Sequence, residues 1–221
     1  MNARTPVRIY KPLCAILLLG ILVVFPGCVG ALAQLIYTIK GHDIDPNYDG
    51  LEGKRIAVIC LSDDSAYGPD TLTYILSNAV GTRLASKLPA GSEVISPARV
   101  EAWIDENGWN ESEFVRLGEG IGAEKVVAIE VSSYSLKEGS TLYKGRCDVT
   151  VTVHDIEKDG QVPFVFGPEH YVFPRDARPA IQTTEREFEA FYLAQLTNVI
   201  ANQFIVSDGR DLFASDGRII R

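Results

Sequence analysis

Two uninterrupted apolar runs constrain this chain more than any other feature. Arg55 to Leu61 reads RIAVICL and Lys125 to Val131 reads KVVAIEV. A strand with one wet face alternates apolar and polar residues, whereas a strand covered on both faces shows no alternation. The intervening sequence supplies the covering helices. From about Thr71 to Leu88, the residues Leu72, Leu76, Ala79, Val80, Leu84 and Leu88 recur at three and four, giving one apolar face. Asp70 is placed to cap that helix, and Pro89-Ala90-Gly91 ends it. Glu93-Val94-Ile95 reads as a short strand. Ser96 as cap and Pro97 in the first turn open a short helix lined by Val100, Trp103 and Ile104, which Asn107-Gly108 stops. Asn110 with Glu113 has the pattern of a capping box for a third helix, striped by Phe114, Leu117 and Ile121 and closed by Gly122. The order β-α-β-α-α-β predicts parallel pairing through right-handed crossovers.

After Val131 the pattern changes. Tyr143, Cys147, Val149, Val151 and Val153 alternate with Lys144, Arg146, Asp148, Thr150, Thr152 and His154, which is the signature of a half-buried strand. Lys158-Asp159-Gly160 is a hairpin turn. Val162, Phe164 and Phe166 begin a returning strand that resumes at Tyr171-Val172-Phe173 after Gly167-Pro168. Pro163 and Pro168 suit a sheet edge. Thr184 with Glu187 forms a second capping box, opening a long helix to about Ile205 that buries Phe188, Phe191, Tyr192, Leu196, Val199, Ile200 and Phe204. The expected architecture is a single α/β domain with a mixed sheet. A parallel β-α-β-α-α-β part is followed by an antiparallel meander and a long C-terminal helix. It spans residues 54–206, preceded by a turn-rich linker (GHDIDPNYDGLEG) within 28–53 and followed by a flexible tail, 207–221, that carries Ser-Asp-Gly-Arg twice.

The N-terminus reads as an export signal, residues 1–27. Arg4, Arg8 and Lys11 precede Leu13 to Phe25 (LCAILLLGILVVF), an uncharged run shorter than the ~20 apolar residues a membrane span needs. Then comes Phe25-Pro26-Gly27-Cys28. A short apolar run ending in Gly-Cys resembles the lipobox of bacterial lipoproteins. The resemblance implies cleavage after Gly27 and diacylation of Cys28, which would become the mature N-terminus and the membrane anchor. The family's usual Leu and Ala or Ser before that pair are here Phe25 and Pro26. Two other readings stay open. Ala31-Leu32-Ala33 is a site for ordinary cleavage before Gln34, and Leu13 to Ile39 without cleavage would be one long anchor kinked at Pro26-Gly27. All three put the body outside the cytoplasm. Val29 in place of the Asp that retains many lipoproteins at the inner membrane implies, by the same resemblance, the outer membrane. Val29 to Ile39 (VGALAQLIYTI) stays apolar and is suited to lie against a bilayer or pack on a partner.

The signal takes three of the chain's 21 basic residues and none of its 29 acids, so the net charge of -8 becomes -11 for the body. Such a body repels nucleic-acid phosphates and is not drawn electrostatically to anionic membranes. In pattern, the stretch from about Lys54 to Ile205 resembles the TolB N-terminal domain and the CsgG and LpoB-type (penicillin-binding-protein activator) lipoproteins. The residues carrying this are RIAVICL, the phrase Ile121 to Tyr134 (IGAEKVVAIEVSSY), and Val153-His154-Asp155-Ile156 followed by Gly160. The resemblance implies a non-catalytic accessory module that docks on an envelope protein complex or forms a homo-oligomer, with no cofactor. It carries over no binding residue.

Signals for chemistry are sparse. Gly50 to Arg55 (GLEGKR) lacks P-loop spacing and precedes its strand. Gly118 to Gly122 (GEGIG) ends a helix where a dinucleotide fold would begin one. No G-x-S-x-G motif occurs, and His42, His154 and His170 lack metal-ligand spacing. Cys60 and Cys147 sit in apolar strands as buried thiols, with a disulfide allowed outside the cytoplasm. Trp103 fits a core face, and Trp109 in a loop is a weak contact candidate. Besides docking, two alternatives are kept: a small-molecule module using loop 62–70 at the strand ends, and a hydrolase built on Asp63, Asp64 and His170, which requires these groups within hydrogen-bond reach.

Overall fold

The computed structural model describes residues 43–62, 71–108, 110, 113–140, 142–179 and 183–208. Along the chain the elements are β1 (Asp43–Ile44), β2 (Arg55–Ser62), α1 (Leu72–Lys87), β3 (Glu93–Val94), α2 (Pro97–Asn107) and α3 (Phe114–Ile121). There follow β4 (Lys125–Glu138), β5 (Leu142–Asp155), a short 3-10 turn at Ile156–Lys158, β6 (Gln161–Pro179), α4 (Glu185–Ala201) and β7 (Ser207–Asp208). Five strands form one sheet in the order β3-β2-β4-β5-β6. The two apolar runs lie side by side in parallel, with Ile56 opposite Lys125 and Ser62 opposite Val131. β3 joins β2 in parallel, and β5 and β6 follow antiparallel. This is the expected mixed sheet, with α4 as its long C-terminal helix.

Period-two geometry divides each apolar run between two cores. Ile56, Val58 and Cys60 of β2, with Val127, Ile129 and Val131 of β4, face α1 and α4, where Leu76, Val80, Leu84, Phe188, Tyr192, Leu196 and Ile200 meet them. Ala57, Ile59 and Leu61, with Val126 and Ala128, face α2 and α3 through Val100, Leu117 and Ile121. β5 contributes its alternate residues Cys147, Val149, Val151 and Val153 to the first core only. Gly145 lies directly beneath the Tyr192 ring, where any Cβ would collide with the ring, so the aromatic can settle on the strand backbone only because this residue is glycine.

One local expectation holds and four differ from the structure. The Thr184–Glu187 capping box forms: Thr184 Oγ1 accepts from the Glu187 N–H at 3.2 Å, and the Glu187 carboxylate accepts from the Thr184 N–H at 2.9 Å. The one expected at Asn110 does not form, because α3 begins later, with Glu113 in the cap position. Glu113 donates its N–H to the Asn110 carbonyl, and its carboxylate pairs with Arg116 instead. The cap position of α1 is Thr71, and Asp70 lies outside the described residues. At the domain edges, Leu51 is completely buried and Tyr48 stacks on Phe164, so the packed unit begins before Lys54. β7, in the stretch read as tail, pairs with β1: Asp43 faces Asp208 and Ile44 faces Ser207. The apolar periodicity of β2 masked this contribution, since one leucine among turn residues carries no period.

The register of the meander is fixed by charge as well as by packing. Lys125 and Asp155 are direct cross-strand partners at the start of β4 and the end of β5. Their side chains form a buried ion pair at 2.5 Å, and Lys158 from the following turn reaches the same carboxylate oxygen at 3.1 Å. Burial alone would raise the Asp155 pKa, but the hydrogen bonds from Lys125 and Lys158 outweigh it and hold the carboxyl below its usual value. Removing one member of such a pair strands the other charge and costs about 3–5 kcal/mol. Asp155→Leu, which takes its carboxylate partner from the buried Lys125 ammonium, should therefore lower the unfolding free energy by about that amount, and adding Lys125→Met should recover most of it, both read by urea titration. A double variant as unstable as the single one would contradict this.

Candidate functional site

β4 runs beyond its parallel neighbour, and an open groove lies along the overhang. β2 ends at Ser62, opposite Val131, while β4 continues to Glu138 with β5 as its partner. The apolar run by itself ends the strand at Val131, and the structure extends it through Ser132 to Glu138. The signal lay in the spacing of Tyr134 and Leu136, weak against so many polar neighbours. Along it the pairing shifts register at Ser132/Ser135, where Ser133 adopts a positive φ of 54°, so the strand bends as it leaves the sheet.

The extension, the first turns of α4 and Ile75 of α1 enclose an open groove of about 910 Å³. Leu136, Ala190 and Leu193 give it apolar lining, and Ile75, 40 % exposed, contributes one wall. Tyr134 donates its hydroxyl to Glu189 Oε1 at 3.1 Å; burial and that carboxylate push the phenol well above its ordinary value, so it acts as a neutral donor. Lys137 pairs with Glu185 at 2.6 Å on the rim, beside Arg186. Both members of that pair are about half exposed, where an ion pair contributes ~0–1 kcal/mol. The rim charges are thus free to exchange their partner for one on an incoming molecule, over a floor that stays apolar. The groove sits at the carboxyl end of the parallel strands, beside Ser62, where loop 62–70 leaves the sheet; residues 63–70 lie outside the described residues.

On the opposite sheet face, α2 and α3 cover β2 and the first part of β4, and the far strands carry a polar surface. Asp148 of β5 lies opposite Ser132 and His170. Its carboxylate meets His170 Nδ1 at 2.7 Å, and this contact, with a further hydrogen bond from Ser133, outweighs desolvation and holds Asp148 below the usual carboxylate value. The order is serine–carboxylate–histidine. A nucleophilic serine needs its base at the hydroxyl, and here the group at the hydroxyl is a carboxylate of lowered basicity, with the imidazole on the carboxylate's other contact. The cluster ties three strands together. Asp63 and Asp64, the other groups of the hydrolase reading, lie outside the described residues, as do His42, Trp109, Gln34 and Cys28.

The remaining candidates have structural explanations. Cys60 and Cys147 are free, buried thiols, both raised in pKa by burial. β4 lies between their strands, which places the backbones about 10 Å apart, beyond the ~7 Å a disulfide bridges. Cys147 accepts a hydrogen bond from the Tyr192 hydroxyl at 3.2 Å. In the Gly118–Gly122 stretch, Gly118 packs against Ile156, Gly120 against Trp103, and Gly122 takes a left-handed φ of 75° to close α3. Those glycines admit side chains, with no helix start behind them to receive a phosphate. Trp103 lies in the second core under Arg116, 5.6 Å from the ring centre. Among the described residues no group of three or more His, Cys, Asp or Glu is placed to hold a metal, and no helix is long and apolar enough to cross a membrane.

No family model matches the chain, and no curated protein does. Among solved structures it is similar to the lipoprotein GNA1162 from Neisseria meningitidis, at 17 % identity over 67 % of this chain and 98 % of that one, TM-score 0.44. It is also similar to the LpoB C-terminal domain from Salmonella enterica, at 9 % identity over 63 % and 90 %, TM-score 0.36. A third is the PelC dodecamer from Paraburkholderia phytofirmans, at 13 % identity over 74 % and 95 %, TM-score 0.39. Bacterial lipoproteins, LpoB among them, are thus among the structures this chain is similar to. No residue role is taken from them.

His154, on the wet face of β5, stacks on Phe114 with ring centres 4.2 Å apart. Burial lowers its pKa below 6.5, against smaller opposing effects of the Gly160 backbone and Glu130. The unfolded chain therefore takes up this proton first as the pH falls. The associated stability is complete above the unfolded value and is lost as the pH drops below about 6.5. His154→Phe keeps a stacked ring without the proton. Urea titrations from about pH 7 to 5.5 should show a shallower loss of stability in this variant than in the parent chain; equal slopes would mean the imidazole does not titrate in this way.

Proposed function

We propose that this chain is an exported lipoprotein of the bacterial cell envelope, anchored through Cys28, in which the α/β domain serves as a non-catalytic docking module for another envelope protein. The groove beside the β4 extension carries this reading. It offers an apolar floor for a partner's side chains and a rim of exposed, weakly held charges of both signs for its polar groups. Support for anchoring comes from the order of the N-terminal residues, basic then apolar then Gly27-Cys28, and Val29 supports the outer membrane by the same resemblance. The signal, residues 1–27, would be removed, and 28–42 would join the anchor to the domain.

The groove also separates the docking reading from a small-molecule one. Its two long sides are a strand and a helix, and its mouth is open, which fits an extended or helical segment better than an enclosed ligand. A second copy of this chain is the competing occupant.

The test is co-purification from detergent-solubilised native membranes with the full chain and with Ile75→Asp, a change at an exposed wall position that leaves both cores intact. One envelope protein retained by the parent chain should be lost from the variant, while the variant's thermal midpoint stays within a few degrees. Equal recovery of the partner by both chains would rule out the groove as the seat. A particle containing only this chain would replace the partner with a homo-oligomer.

A further inference from the structure

The two ends of the domain differ in what reaches them. At the start of the parallel strands, the β1/β7 ribbon closes over the C-terminal end of α1 around a cavity of about 390 Å³ lined by Asp43, Glu52, Arg83, Lys87, Phe204 and Val206 with their neighbours. Two of the exposed large aliphatic side chains among the described residues, Ile44 at 47 % and Val206 at 53 %, belong to this ribbon and its approach. Arg83 and Lys87 make no ion pair among the described residues. Asp43 is also where the chain arrives from Cys28.

The length of that connection is informative. Between Cys28 and Asp43 the sequence is VGALAQLIYTI followed by only Lys40, Gly41 and His42. Beside a cysteine acylated as proposed above, a segment of this composition would enter the lipid interface. From Ile39 to Asp43 the chain then spans at most about 14 Å when fully extended. The ribbon end cannot stand far from the bilayer under that limit.

Resting on the anchoring through Cys28 proposed above, we propose that the β1/β7 end of the domain lies against the lipid surface, with Ile44 and Val206 touching the interface and the groove facing away. Ile75 on the groove and Lys87 at the ribbon end are separated by about 18 Å along α1, so one end of the domain contacts lipid while the other stays clear of it. Lys87 and Arg83 sit where they meet lipid phosphates. Asp43, Glu52 and Asp208 share the same rim, so charge gives no net attraction. The anchor supplies the affinity, and the short connection with its aliphatic pair supplies the orientation.

The test uses the full chain purified from membranes and reconstituted in phosphatidylethanolamine–phosphatidylglycerol vesicles containing doxyl-labelled lipid. Bimane is attached at Val206→Cys, Ile44→Cys or Ile75→Cys. The native Cys60 and Cys147 are buried, and burial raises both thiols, so they resist labelling. Quenching should be severalfold stronger at 206 and 44 than at 75. Protein that floats with the vesicles but is quenched equally at all three positions, or most at 75, overturns the orientation and leaves the anchor standing. Protein that fails to float overturns the anchoring and the orientation with it.

Discussion

Strand β4 is the member on which the rest of the molecule depends. Its first half is enclosed by β2, β5 and helices on both faces, so every residue from Lys125 to Ile129 is buried, including a lysine. A lysine is tolerated there because Asp155 stands directly across the ladder and Lys158 shares the carboxylate. A slip of one residue between β4 and β5 would separate that pair and would also turn the alternating valines of β5 from the core to water. Packing and charge therefore specify the same register. The second half of β4 runs on past the end of β2 with β5 as its partner, and the groove lies along that extension.

Much of this was legible because the hydrophobic pattern has a period. The two unbroken runs became the paired central strands, the alternation of Tyr143 to His154 became a strand with one covered face, and the stripe from Leu72 to Leu84 became α1. What the sequence concealed lacked a period. Leu51 is one apolar residue among turn formers, yet it is wholly buried. Ser207 and Asp208 look like tail but close a ribbon with β1. The Asn110–Glu113 pair had the letters of a capping box, and the helix started elsewhere because backbone turn formation at Glu113 took precedence. The groove itself depends on how far one strand outlasts its neighbour, which is a property of pairing and not of any local segment.

The polar face behaves in the same tertiary way. The hydrolase reading places His170 beside Asp63 and Asp64, but its partner is Asp148, placed opposite by antiparallel register and separated by 22 positions in the chain. The resulting contacts link β4, β5 and β6. Likewise the glycines from Gly118 to Gly122 make room for Ile156 and Trp103. Among the described residues, Asp148 and His170 link strands and the glycines from Gly118 to Gly122 seat neighbouring side chains, while the groove is built from an isoleucine, a tyrosine, aliphatics and loosely paired charges.

In the proposed function, one residue, Cys28, couples the domain to the membrane. The most direct measurement is the intact mass of the protein purified from membranes, with Cys28→Ala alongside. The account predicts a chain that begins at Cys28 and carries added acyl mass, both lost in the variant. A chain that begins at Gln34, or that keeps Met1 and shows no added mass, would contradict it.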